Sequence, residues 1–268
     1  DWYNYDSTDK KWANAKTEDG SMWVWIPRYT YKITSGWHTD TAGTIEVSFS
    51  QGTDDTRDGA ISINTDTTAN ASNGTWTNHP AFTFGDTELT GIWVAKFEAS
   101  NDGNEKVKVV SNVKSWCQMY VSEMFNICRS MENDSIYGWG TTGNNIDTHM
   151  MKNTEWGAVV YLSQSEYGKN SEVWINPADD YTTGCAGDSV SSDSTTGCLR
   201  SYETTNGQKA STTGNIYGIY DTSGGAWECV AAYVNNGHSN LTTYGDSLYN
   251  ANAKYKDVYN VSPEDTKP

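Results

Sequence analysis

Basic residues are scarce in this chain. Eighteen lysines and arginines face 34 aspartates and glutamates, for a formal net charge of -16 over 268 residues. Phosphate backbones repel such a surface, which predicts no nucleic-acid partner. An anionic membrane face is an equally poor match. The charge is spread rather than blocked, which argues against an acidic disordered tail. Long apolar runs are missing as well. No segment approaches the roughly 18 apolar residues that span a bilayer, so no membrane insertion is expected. The opening "DWYNYDSTDKKW" carries no secretory apolar region. It reads as a mature or trimmed end whose targeting segment, if any, lies outside this sequence. Histidines number only four, at His38, His79, His149 and His238, scattered and without metal-ligand spacing. No G-x-S-x-G, P-loop or dinucleotide fingerprint occurs.

Aromatics and small polar residues are plentiful: twelve Trp, seventeen Tyr, and many Asn, Thr, Ser and Gly. "MWVWIPRYTYKI" (22–33) alternates in the period of a strand, and Pro27 splits it into two short ones. Residues 35–79 read as a loop-rich insertion with at most a strand at "TIEVSF". "GIWVAKFEAS" (91–100) is the next strand. "NVKSWCQMYVSEMFNICRSM" places Val113, Trp116, Tyr120, Met124, Ile127 and Met131 at three- and four-residue steps, one apolar face of a helix. "NTEWGAVVYLSQSEYG" predicts a second helix, capped at Asn153 or Thr154 and stopped at Gly168. The class is therefore an irregular α+β fold: two helices, short antiparallel strands and long loops. The expected organisation is an N-terminal arm (1–20), a main domain (21–234) and a polar, Tyr-rich C-terminal segment (235–268). Most of the tryptophans are expected in the core. Trp2, Tyr3, Tyr5, Trp37, Tyr244, Tyr249 and Tyr255 sit in polar contexts and are the candidates for an exposed ligand-binding surface.

The five cysteines carry information about compartment. Cys185 and Cys198 flank the polar stretch "AGDSVSSDSTTG". A disulfide there would remove on the order of 3 kcal/mol of unfolded-state entropy and would fit an oxidising compartment. Two unpaired thiols are the alternative. Zinc is disfavoured by the spacing and by the lack of a nearby His. Cys117 and Cys128 would share a helix face several turns apart, too far to bridge. Buried free thiols are expected for these two and for Cys229.

The segment "YGIYDTSGGAWE" (217–228) crowds Asp221, Gly224, Gly225, Trp227 and Glu228 together. A catalytic loop, a metal loop and a tight structural turn would all look like this. In the structural reading Asp221 caps a turn, Trp227 fills the core and Glu228 accepts backbone N–H groups. In the metal reading, carboxylates and glycine-permitted carbonyls meet a hard cation.

Several segments, in order, resemble blocks of the formylglycine-generating enzyme family, whose fold is a variant of the C-type lectin fold. They are "WVWIPRYTY", "IWVAKFEAS", "VVSNVKSWCQMYVSEMF", "MKNTEWGAVVY" and "YGIYDTSGGAWE". Stretches such as "HPAFTFGDTELTGIWVAKFE" and "DTHMMKNTEWGAVVYLSQS" are similar to surface or phage-associated proteins of gut Firmicutes, some with pilin-like N-termini. The resemblance implies a lectin-like domain over 21–234. It also implies a structural calcium held by Asp221, the Gly224 and Ala226 carbonyls, and Glu228. Gly225 stands where the family usually has Asn. The family's C-terminal block, with its paired copper-binding cysteines, is missing, and so is the His-x3-His-x-Glu iron signature of related enzymes. The chain is therefore expected to be truncated, or completed by another chain, and not to be an enzyme. The expected role is an extracellular recognition or adhesion module on a bacterial surface appendage or phage particle, with glycan or protein ligands. A structural subunit of a pilus-like filament or virion, self-assembling or joined to another subunit, is the alternative reading. An oxidase of the formylglycine-generating type is a distant third.

Overall fold

The computed structural model describes residues 5–36, 39–41, 43–54, 76–140 and 146–260. Chain direction and pleat explain the first sheet. Strand β1 (Asn14–Lys16) pairs antiparallel with β2 (Met22–Pro27). After Pro27 the chain turns into β3 (Tyr29–Ser35), which pairs with β4 (Thr44–Phe49) and with β5 (Thr77–Asn78). Proline lacks the N–H that a continuous ladder needs. At the break, Arg28 is buried, ion-paired to Glu88 at 2.6 Å, and donates to the Phe82 carbonyl.

A hairpin of β6 (Thr83–Phe84) and β7 (Thr87–Glu88) leads into β8 (Gly91–Ala95). Strand β8 lies antiparallel beside β2, with Trp25 opposite Trp93 and Ile26 opposite Ile92. Alternation then sorts the side chains. Val24, Ile26 and Val94 enter the core, while Trp93 stays exposed on the other face. Strands β9 (Ser100–Asn101) and β10 (Val107–Lys108) form a small ladder before helix α1 (Val121–Ser130) and helix α2 (Asn153–Ser163). Helix α2 packs Ala158, Val159 and Leu162 against Trp12, Tyr29 and Phe82, and the Tyr29 hydroxyl donates to the Ala158 carbonyl at 2.6 Å. Buried His79 sits among Tyr29, Tyr31, Phe82 and Tyr161. Burial lowers its pKa to about 3, so it stays neutral.

Helix α1 is shorter than the 3.6-residue spacing predicts, and Cys117 lies before it. Residues 112–118 are tied to neighbours instead: Ser115 N–H donates to the Tyr181 carbonyl and Trp116 N–H to the Ala99 carbonyl. Asn112 and Gln118 both take positive φ, which a helix excludes. The helix can start only at Val121, where the Glu123 carboxylate accepts from the Tyr120 N–H. Helix α2 begins at Asn153, with Lys152 at its N-cap in place of the expected Asn153 or Thr154. It ends at Ser163, ahead of Gly168, with positive φ appearing at Asn170 instead.

Beyond α2, β11 (Cys185–Ala186) pairs with β12 (Arg200–Ser201). Cys185 is disulfide-bonded to Cys198, with Cα atoms 5.3 Å apart. Serine at both positions is expected to lower stability by about 3 kcal/mol through the freed loop, read as a lower denaturant midpoint. An unchanged midpoint would mean that the bridge does not constrain the unfolded chain.

The N- and C-terminal regions are both built into the body. Trp12 is fully buried and its Nε1 donates to the Tyr167 carbonyl. Tyr5, expected on the surface, packs on the core and its hydroxyl donates to the Trp25 carbonyl. At the other end β13 (Ala232–Asn235) runs parallel to β14 (Asp257–Asn260). Between them lie short helices α3 (Asn240–Thr243) and α4 (Asp246–Tyr249), and Leu248 joins Phe125, Met150 and Ala231 in a satellite core.

Candidate functional site

The loop 221–229 is shaped by what it touches. Asp221 takes φ +62° and is fully buried. Its Oδ1 accepts from Asn176 Nδ2 at 2.8 Å and from the Gly184 N–H at 2.9 Å; its Oδ2 accepts from the Gly184 and Glu98 N–H groups. The carboxylate thus ties three distant segments together. Burial pushes its pKa up to about 6, opposed by those hydrogen bonds. Asn176 then holds the glycines: its N–H donates to the Ser223 carbonyl, and its own carbonyl accepts from the Gly225 N–H. Gly224 has φ +81°, and a Cβ there would lie 2.2 Å from the Asn176 carbonyl oxygen. Gly225 has φ +72°, and a Cβ there would meet Glu98 Oε1 at 2.7 Å. Both positions therefore demand glycine.

The structural reading has Asp221 capping its own turn; in the structure Asp221 instead accepts from Asn176, Gly184 and Glu98, all distant in sequence. Trp227 does not fill the core: it is 96% exposed. The calcium implied by the resemblance meets a difficulty at Asp221, because both of its oxygens already face N–H donors. That carboxylate is committed to the protein and does not fit a cation, which needs oxygens free to turn toward it. Among the described residues, no group of three or more His, Cys, Asp or Glu side chains is placed to hold a metal.

Beside the loop runs a groove of about 690 Å³. Its walls come from the outer face of β8, from α1, from 146–151 and from 226–229. Trp116, Met119, Met124, Ile127 and Trp227 give it an apolar character, and Glu98 and Glu228 also line it. Nothing in the local sequence marks Glu98 for a role; the structure places it in the groove wall. Its Oε2 accepts from the Ser115 hydroxyl, while Oε1 meets no donor in hydrogen-bonding geometry. Burial pushes its pKa up to about 8, and the Asp221 charge adds to this. Glu228 stands in the groove wall, solvent-accessible but hemmed in by protein. Its pKa is raised by desolvation and by Asp221. Among the described residues, neither Glu98 nor Glu228 forms an ion pair.

Another part of the groove lining, around His149, is electrically closed. His149 Nε2 lies 3.0 Å from Glu155 Oε1 and its Nδ1 lies 3.8 Å from Asp147. Asp147 also accepts from Arg129, Lys254 and the Tyr255 hydroxyl. Burial lowers the pKa of His149, but the two carboxylates outweigh it and raise the value to about 9. The sign follows directly. The folded value exceeds the unfolded value of about 6.5, so the contribution is complete below pH 6.5 and is lost as pH rises through 9. His149→Gln should flatten the fall in stability between pH 6.5 and 9, measured by thermal melts. A slope that survives the substitution would assign it to another group.

The free thiols differ from the expected burial. Cys229 is exposed and Cys117 is half-buried, because neither falls on a helix face; only Cys128 packs inward, on α1. Of the predicted ligand-binding aromatics, Trp37 lies outside the described residues, as do Trp2 and Tyr3. Tyr244 is exposed and stacks on Tyr120 with ring centres 4.9 Å apart. Tyr249 packs on Tyr233, and Tyr255 lies under Arg129. None of these three lines the groove.

No protein-family model matches the chain, and no curated protein matches it either.

Proposed function

We propose that this chain is a recognition module whose ligand, a glycan or a protein segment, occupies the groove beside loop 221–229. The observation that carries the reading is Trp227, a large indole held in water at the rim of an apolar groove. Interfaces concentrate their binding energy in Trp, Tyr and Arg, and an apolar cleft with few convergent polar groups is the usual form of a ligand site. The disulfide supports an extracellular setting, on a bacterial surface appendage or phage particle. Among the described residues no helix is long and apolar enough to cross a membrane. The order of strands, two helices and the glycine loop supports a C-type-lectin-like domain of the formylglycine-generating enzyme type. The commitment of Asp221 to N–H donors supports a loop that holds its shape without calcium.

The test is binding of the purified chain to a glycan and peptide panel and to intact bacterial and epithelial cells. Trp227→Ala should weaken any saturable binding by about tenfold or more without changing the melting temperature, because the side chain packs on little. Binding that survives unaltered would move the site elsewhere. No saturable binding to any ligand would remove the stand-alone recognition reading in favour of a filament or virion subunit.

A further inference from the structure

The acids that line the groove are unequally balanced. Asp147 and Glu155 are neutralised by His149 and by Arg129 and Lys254 behind the lining. Glu98 and Glu228 line the groove too, and among the described residues no ion pair to either is present. Asp221, behind them, is already filled by N–H donors and is fully buried. It adds negative potential without offering itself as a ligand. Next to Glu228, Trp227 presents almost its whole surface to water. Two acids without a counter-charge beside an open indole are complementary to one chemistry above others: a guanidinium or ammonium group, whose approach favours their ionised forms and which can lie on the ring. The remaining walls, Trp116, Met119, Met124 and Ile127, need apolar partners. Methionines adapt to varied side chains.

Resting on the recognition reading above, we infer that the groove takes a peptide segment of another protein carrying an arginine or lysine between apolar residues, with the basic group held by Glu98, Glu228 and Trp227. A neutral sugar would leave both acids without a counter-charge. An anionic glycan would be repelled by them and by the net charge of -16. The same charge draws a basic segment in, most strongly at low salt.

The experiment is a fluorescence-polarisation titration with a labelled pentapeptide, arginine at the centre and two leucine or phenylalanine residues on each side. Its twins carry lysine, neutral citrulline or glutamate at the centre. The arginine and lysine peptides should saturate and bind at least about tenfold more tightly than citrulline, a difference of about 1.4 kcal/mol. The preference should shrink in high salt. Glu228→Gln should reduce the arginine-to-citrulline ratio severalfold, and the double change Glu98→Gln with Glu228→Gln should abolish it. Trp227→Ala should weaken the basic peptides, and its exposed position keeps the fold out of the comparison. Equal binding of arginine and citrulline peptides overturns the inference, as does no peptide binding up to about 1 mM. If a neutral glycan then binds in a Trp227-dependent way, the recognition reading stands and the basic-peptide inference falls. If neither class binds, both fall.

Discussion

Asp221→Asn should lower the unfolding free energy by about 4 kcal/mol, measured by chemical denaturation. The substitution keeps size and shape but replaces one acceptor oxygen by an NH₂ donor. In either orientation that group faces a donor: the Asn176 amide and Gly184 N–H on one side, the Gly184 and Glu98 N–H groups on the other. Buried N–H groups are then left unmade, and each such loss costs about 1–3 kcal/mol. Since the carboxylate joins residues 98, 176, 184 and 221, the damage spreads into the groove wall. A loss below about 1 kcal/mol would show that the loop is held by something other than Asp221. Added calcium is not expected to restore the variant, and restoration by calcium would return the loop to the metal reading.

Gly224→Ala should be comparably damaging, by about 4 kcal/mol. Two independent effects add. The left-handed conformation alone costs an L-residue about 1–2 kcal/mol. The new methyl would also lie 2.2 Å from the Asn176 carbonyl oxygen and 2.8 Å from Ile175 Cγ2, and the oxygen belongs to backbone that cannot swing aside. Relief requires breaking the parallel bridge between Asn176 and Gly224. As a control, Gly20→Ala also places alanine at positive φ, but in open space. It should cost only the conformational part, about 1–2 kcal/mol. Equal losses at the two sites would remove close contact from the account and leave backbone strain alone.

Part of this architecture was legible in the residues. Pro27 divides two strands because it cannot donate to the ladder, and the structure has β2 and β3 on either side of it. The spacing of Cys185 and Cys198 around a polar stretch pointed to the bridge that is present. Helix α2 followed from its apolar run, though its N-cap is Lys152 and not Asn153 or Thr154. Helix α1 is shorter than its pattern because 113–117 keep a helical spacing while their backbone groups are taken by Ala99, Tyr181 and Thr183, partners distant in sequence. That competition is tertiary and leaves no local signature.

The site was legible in the same uneven way. The glycine pair left a catalytic loop, a metal loop and a tight turn equally open; both glycines take positive φ. What Asp221 binds could not be read from its neighbours, since Asn176, Gly184 and Glu98 arrive from elsewhere in the chain. The tryptophan count pointed to a dense core, yet Trp12 is fully buried while Trp93 and Trp227 are exposed. The aromatics expected at a ligand surface sit in polar sequence contexts. Tyr255 shows why context misleads: Asp147, Arg129 and Phe125 fold over it.

The central claim is that ligand recognition takes place in the groove beside loop 221–229. The most direct measurement is hydrogen exchange of the chain with and without the tightest ligand from the panel. The account predicts new protection in 115–119, in α1 around Met124 and Ile127, and in 226–229. Protection confined to the segment carrying Tyr244, Tyr249 and Tyr255, with the groove exchanging as before, would contradict it.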